Sequence, residues 1–367
     1  MTDIPWWEPE TGSKELALIK DVLESNVLND AAVTTELENR LGQLLGCQYA
    51  VAVTSGTMAL FLALAALKIG RGDEVIVPDA TFIATANAVK LTGAKPVFVD
   101  VELDRLTIDV VCVAKAINDK TKAIIPVHVS GRAANMIELE KIALEAGIFI
   151  VEDAAESFMS KYNGRYLGTI GNLGCFSFSP MKLITTGQGG LVTTNDGELH
   201  QRLRQLKDQG RPLRGTGGDD PHPTIGYNFK LTNVQAAIGL GQLESLEDRM
   251  AHMRHLYELY SYGLGSISQV QLIEFDLKNG ELPLWLDVLA DQRNELEAYL
   301  RTKGIDCRKF WHPIHTQPCY LEGDDRFPNC MRSLPKALWL PSALSLTDEN
   351  VSKVCSEIKF FYDDILA

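Results

Sequence analysis

From about residue 50 to residue 151 the chain alternates short apolar runs with helix-forming ones, and few folds accept that pattern. Residues 51–53, 74–77, 96–99, 123–127 and 148–151 read as strands, and 58–67, 83–91, 111–117 and 137–145 as helices between them. Strands joined through helices pair in parallel, with helices on both faces of the sheet. Ligands of such sheets bind beyond the carboxyl ends of the strands. Thr54-Ser55-Gly56-Thr57, Pro78-Asp79-Ala80-Thr81-Phe82, His128 and Asp153 all follow or end predicted strands, so they are expected on one edge.

The chain of 367 residues is long enough for two domains. A long helical pattern over 233–262 supplies the boundary, near its middle: a large domain over 1–245 and a smaller α+β domain over 246–367, with helices expected over 293–303 and 349–362. With 46% hydrophobic and 23% charged residues a full core is expected. A net charge of −13 argues against nucleic acid and anionic membranes as partners. Seven scattered cysteines, none spaced Cys-x-x-Cys, fit free thiols in a reducing cytoplasm. The first residues do not read as a signal peptide, and the apolar stretch 50–67 is broken by Thr-Ser-Gly-Thr, so no membrane span is expected.

Lys182 lies between the apolar Cys175-Phe176-Ser177-Phe178 and the turn Gly187-Gln188-Gly189-Gly190, which reads as the end of a buried strand. A buried lysine has a lowered pKa, as a Schiff-base amine requires. Asp153 reads equally as a turn former and as the carboxylate that pairs with a pyridine nitrogen; Glu152, on the opposite strand face, reads as structural. The Ser55-Gly56-Thr57 turn opens a helix, either as an ordinary capped turn or as a phosphate cradle. Phe82 alone reads first as core. His128, His312 and His315 lack a completing acid or cysteine cluster, so no metal site is expected. The glycines at 164, 168, 171 and 174 read as turns and not as a dinucleotide fingerprint.

Taken in order, Thr54-Ser-Gly-Thr-Met-Ala-Leu60, Pro78-Asp-Ala-Thr-Phe-Ile-Ala-Thr-Ala-Asn87, Pro126-Val-His128, Glu152-Asp-Ala-Ala-Glu156, Phe176-Ser-Phe-Ser-Pro-Met-Lys182, Gly226-Tyr-Asn-Phe-Lys230 with Gln235-Ala-Ala-Ile-Gly239, and Pro313-Ile-His315 resemble the DegT/StrS-type sugar aminotransferases. The resemblance covers about residues 10–360. It implies the α/β type I aminotransferase fold: a mostly parallel sheet flanked by helices, followed by a smaller α+β domain. It also implies pyridoxal 5'-phosphate as cofactor and L-glutamate and a keto sugar as substrates. By the same resemblance Lys182 is the Schiff-base lysine and proton shuttle, Asp153 pairs with the ring nitrogen, Glu156 lies near the ring hydroxyl, and Phe82 stacks on the ring. Gly56, Thr57, Met58 (through its backbone) and Ser177 hold the phosphate. Asn228 reaches the phosphate of a neighbouring subunit, which implies a homodimer with shared sites, and His315 lies near the substrate.

Three departures from the family pattern matter, the last two of them for the substrate. Gln188 stands where a glutamate is usual, which predicts a more easily deprotonated lysine. The lip Asn26-Val-Leu-Asn-Asp-Ala-Ala32 lacks Gly-Pro, and His128 is followed by Val-Ser-Gly-Arg132 where Leu-Tyr-Gly is common. The resemblance points to a nucleotide-linked 4-keto-6-deoxy sugar in lipopolysaccharide or other surface-sugar synthesis. The departures leave room for a 3-keto nucleotide sugar or an 8-oxo octulosonate. A dehydratase of the same fold would carry histidine at the lysine position, and a non-catalytic cofactor-binding regulator would not turn over glutamate. Arg211 and Arg214, in the Gly/Pro-rich stretch 210–226, read as solvated loop or as a diphosphate contact.

Overall fold

The computed structural model describes residues 3–212 and 221–365. The alternating region folds into β1 (Tyr49–Val53), β2 (Glu74–Pro78), β3 (Lys95–Val99), β4 (Thr121–Ile124) and β5 (Phe149–Asp153). A hairpin follows, β6 (Lys161–Tyr162) and β7 (Arg165–Tyr166), and then β8 (Leu173–Ser177) and β9 (Gly190–Thr194). All of these except the hairpin form one seven-stranded sheet in the order β1-β9-β8-β5-β4-β2-β3. The pairs from β3 through β8 are parallel, and β9 runs antiparallel to both β8 and β1.

Helices α1 (Ser13–Ser25) and α2 (Ala32–Leu45) precede the sheet, and α3 (Gly56–Ala66), α4 (Ala84–Leu91), α5 (Val110–Ala116) and α6 (Met136–Ala146) make its crossovers. Both faces are covered. On β2, Val75 and Val77 join the main core while Ile76 joins a second cluster with Ile124, Ile150 and Leu139. Helix α3 is buried nearly all round, so it carries no polar stripe.

The chain continues through α7 (Gly197–Lys207), α8 (Asn233–Leu243) and α9 (Leu246–Leu264). The pattern expected as one helix over 233–262 is therefore two, interrupted at Glu244 and Ser245. A second, wholly antiparallel sheet follows, in the order β10 (Val270–Leu272), β11 (Leu286–Ala290), β13 (Ala337–Leu340), β12 (Arg308–Lys309). It is flanked by α10 (Arg293–Thr302), α11 (Pro328–Ser333) and α12 (Asp348–Phe360). The first described residues, assigned by sequence to the large domain, lie instead with this second module: Ile4 bridges Ile305, and the Ser342 N–H donates to the Trp6 carbonyl. Among the described residues no helix is long and apolar enough to cross a membrane.

Candidate active site

A cavity of about 280 Å³ opens at the carboxyl ends of β1, β5 and β8. Its lining includes Gly56, Thr57, Phe82, Asp153, Glu156, Ser177 and Lys182, so seven residues from four separate segments meet there. The parallel pairing accounts for this: each of these strands delivers its following turn to the same edge.

Lys182 is not at a strand end. It lies five residues past β8, in the bends between β8 and β9, with its backbone N–H donating to the Ser179 carbonyl at 3.1 Å. Its side chain is only 11% exposed, with Nζ 3.6 Å from Glu156 Oε1. On another side Nζ stands 4.5 Å from the centre of the Trp285 ring. Burial pulls the ammonium below the usual lysine range, against the opposing pull of Glu156 and Asp153. An amine held this way loses its proton, and becomes a nucleophile, more readily than a surface lysine.

Asp153 ends β5 and is buried. It accepts from the Thr85 hydroxyl at 2.8 Å and from the Ala155 N–H at 3.2 Å, and burial raises its pKa. Thr85 in turn lies 2.9 Å from the Thr81 hydroxyl. Glu156 accepts from the Ser130 N–H at 3.0 Å, and burial pushes its carboxyl up to about 7 despite Lys182. Both acids would be steadied by a positively charged partner brought into the cavity.

At the other end of the cavity α3 starts at Gly56. Ser55 caps it, its Oγ accepting from the Met58 N–H at 3.2 Å, so that amide already has a partner. A Cβ on Gly56 would come within 2.8 Å of Ser177 Cβ, so only glycine leaves a cradle there between helix start and strand end. A helix N-terminus with two hydroxyl side chains beside it, Thr57 and Ser177, is a chemically apt seat for a phosphate. Phe82 is half exposed rather than core, tilted against Trp311 with 6.5 Å between ring centres. Its face is therefore available to a planar ring.

Three expected residues lie outside the cavity lining: Met58, whose N–H is held by Ser55, together with His315 and Asn228. His315 is fully buried: Nδ1 is 2.6 Å from Asp79, Nε2 is 3.1 Å from Asp324, and its ring stacks on Phe327. It ties the segment after β12 to the turn after β2 and does not face the substrate space. Asn228 is exposed and bridges Asp208. The lip is pinned to α8, with the Asn233 N–H donating to the Leu28 carbonyl at 3.0 Å and Asn233 Nδ2 to the Val27 carbonyl at 2.8 Å. Asp30 of the lip lies 3.0 Å from the buried Lys207. Gln188 does line the cavity, its carbonyl accepting from Thr186 Oγ1 at 2.8 Å and Gln235 Nε2 at 2.7 Å. Arg211 pairs with Asp208 at 3.4 Å, and Arg214 lies outside the described residues. Among the described residues no group of His, Cys, Asp or Glu is placed to hold a metal.

Four further lining residues were not singled out from the sequence: Thr85, Trp285, Arg308 and Trp311. The last three come from the second module, 100 residues or more from Lys182. Arg308 lies with its guanidinium carbon 4.9 Å from the Trp6 ring centre and 5.6 Å from that of Trp339, and donates to the Met181 sulfur at 3.2 Å. No carboxylate among the described residues pairs with it. Only the run of aromatics in 283–311 hinted at this wall.

Residues 9–359 match the DegT/DnrJ/EryC1/StrS aminotransferase family. The chain is 38% identical over 369 residues to the GDP-perosamine synthase of Escherichia coli O157:H7, covering 99% of this chain and 100% of that protein. Among solved structures, it resembles S. venezuelae DesV in complex with a ketimine intermediate, with TM-score 0.90, 33% identity, and coverage of 95% of this chain and 94% of that one. It also resembles the PLP-form of Streptococcus pneumoniae Spr1654, with TM-score 0.94, 25% identity, and coverage of 99% and 100%. A buried lysine facing two acids at the carboxyl edge of a mostly parallel sheet agrees with these matches: the chain belongs to the DegT/DnrJ/EryC1/StrS family of pyridoxal-phosphate-dependent aminotransferases.

Proposed function

We propose that this chain moves an amino group from L-glutamate to a nucleotide-linked 4-keto-6-deoxy sugar, using Lys182 as its reactive amine. The observation that carries this reading is the Lys182 amine itself, 3.6 Å from Glu156 and enclosed by Trp285, in a cavity that Asp153 also borders. The identity to a GDP-perosamine synthase supports a sugar acceptor linked to a nucleotide.

The residues present fit pyridoxal phosphate. Gly56, Thr57 and Ser177 would hold the phosphate, joined by the Met58 N–H once it leaves the Ser55 hydroxyl; Phe82 would cover the ring, Asp153 would meet the ring nitrogen, and Glu156 would lie toward the ring hydroxyl. Bound there, the cofactor supplies an electron sink for carbanion chemistry and a carrier for the amino group. Lys182, its ammonium destabilised by burial, would supply the amine that holds the cofactor and the base that moves a proton. Asp153 would favour the charged form of a ring nitrogen placed beside it. The walls of Trp285 and Trp311 exclude water and strengthen each of these charge interactions. Arg308, a cation without a carboxylate partner among the described residues, takes a carboxylate of the amino donor. Asn228, exposed and outside its own chain's cavity, completes the phosphate site of a second subunit, so the working unit is a homodimer.

Adding L-glutamate to the cofactor-loaded protein tests the first half. The visible absorption should change and 2-oxoglutarate should appear. A GDP-linked 4-keto-6-deoxy hexose should then be aminated, read as a mass change. Lys182→Ala should lower turnover by about 10⁴-fold or more and abolish the lysine-linked absorption. Silence on adding glutamate would overturn the aminotransferase reading in favour of a regulator.

A further inference from the structure

The segment Val129–Gly131, with Arg132 after it, is where the sequence departs from the family, and that departure was expected to bear on the sugar. None of these residues lines the cavity; all are buried. Ser130 takes a left-handed conformation, with φ 52° and ψ 16°. Gly131 follows at φ +103°, where a Cβ would lie 1.9 Å from the Leu282 carbonyl oxygen. The turn is thus pressed against residues 282–287 of the second module, and its carbonyl at Ser130 accepts from the Leu284 N–H at 2.8 Å.

From this turn hydrogen bonds run in two directions. Toward the cavity, the Ser130 N–H donates to Glu156 Oε2 at 3.0 Å, while Oε1 of the same carboxyl faces Lys182 Nζ. Toward the second sheet, Ser130 Oγ donates to Asp287 Oδ1 at 3.0 Å and accepts from Trp339 Nε1 at 3.3 Å. Asp287 Oδ2 accepts from Arg132 Nη1, and this pair is wholly buried. Arg132 is held from behind as well: its Nε donates to the Arg105 carbonyl at 3.0 Å, and its guanidinium carbon is 5.0 Å from the Phe275 ring centre. One residue therefore links the acid beside the reactive amine to a charge pair belonging to both modules.

We infer that Ser130, Arg132 and Asp287 are positioning residues, a bridge by which the second module holds Glu156 in place beside Lys182. This rests on the reading of Lys182 as the reactive amine. The charged groups around Glu156 are Lys182 from the segment after β8, Asp153 on β5, and Asp287 on β11 with Arg132 behind it; His128 and Arg308 act more remotely, through Asp153 and Lys182. Asp287 disfavours ionisation of Glu156, and Arg132, paired with Asp287, carries the opposite charge. Removing either charge should move the Glu156 titration, in opposite senses.

The experiment uses cofactor-free protein. The infrared carbonyl band of protonated Glu156, assigned by its loss in Glu156→Gln, is followed against pH. In the unaltered protein its midpoint should lie at about 7. Asp287→Asn should lower the midpoint, Arg132→Met should raise it, and Arg132→Met/Asp287→Asn, which keeps the net charge, should bring it back toward the starting value. If a single variant fails to fold, the charge-balanced double variant still reads the bridge against Ser130→Ala, which should raise the midpoint by loosening the N–H donor. Equal midpoints in every folded variant would overturn the bridge and leave it a packing feature. The band is read without cofactor or substrate, so a shift without transamination would fault the proposed reaction and leave the bridge standing.

Discussion

Glu152 and Asp153 are consecutive on β5, yet one sits in a closed ring of donors and the other borders open space. Glu152 accepts from the backbone N–H groups of Gly168 at 2.8 Å, Ile170 at 2.6 Å and Gly171 at 2.7 Å. It also lies 3.0 Å from His128 Nε2, whose other nitrogen accepts from the Ala134 N–H, so Nε2 carries the proton and donates. Asp153 has the Thr85 hydroxyl and one backbone N–H, and its remaining side faces the cavity. Strand alternation sends the two carboxyls to opposite faces of the sheet. A carboxylate whose oxygens are all engaged can only hold structure together. One with an open side can meet a ligand, and it accepts the cost of burial for that purpose.

The comparison breaks most visibly under exchange of each acid for its amide. Glu152→Gln puts an NH₂ group against backbone donors and should cost about 2–4 kcal/mol of stability. Chemical denaturation measures this, and cofactor absorption in the folded variant should stay as it was. Asp153→Asn should do the reverse, with turnover down about 10²–10³-fold and stability unchanged or higher. A large stability loss in Asp153→Asn with turnover intact would erase the distinction between the two acids.

Glu156 sharpens the contrast through pH. Its folded-state pKa of about 7 lies above the ordinary 4.5. Between those values the folded chain keeps a proton that the unfolded chain has lost. Stability of the cofactor-free protein should therefore fall as pH rises through that window, by on the order of 3 kcal/mol in all. Denaturation midpoints across the window check this, and Glu156→Gln should flatten the slope. The smallest effect belongs to Gln188→Glu. The added charge in the cavity should move the Lys182 titration upward and change turnover at neutral pH by less than about tenfold. Titrating the lysine-linked absorption of the loaded protein reads this directly, and an unmoved midpoint would remove Gln188 from the lysine's surroundings.

Legibility in the sequence followed distance along the chain. The five parallel strands were placed by their apolar runs, with ends off by up to three residues because strand termination depends on neighbouring strands. The turn at Gly56, the acid at Asp153 and the amine at Lys182 were legible because each is marked by its own neighbours. The surroundings of His315 were not legible for the opposite reason: Asp79, Asp324 and Phe327, which meet it outside the cavity lining, lie 9 or more positions away. Arg132 looked like a change in substrate contact until Asp287, 155 positions away, proved to hold it.

The sequence by itself determined the layered α/β architecture, since period and order of apolar runs are local properties that dictate pairing. It also placed Gly56, Phe82 and Asp153 at or just after strand ends that meet at one sheet edge. The tertiary structure alone decided which acids are saturated and which are open, and that Trp285, Arg308 and Trp311 close the cavity from the second module. Those outcomes depend on burial and on partners brought together across the chain, and no local pattern encodes how many hydrogen bonds a carboxyl will find.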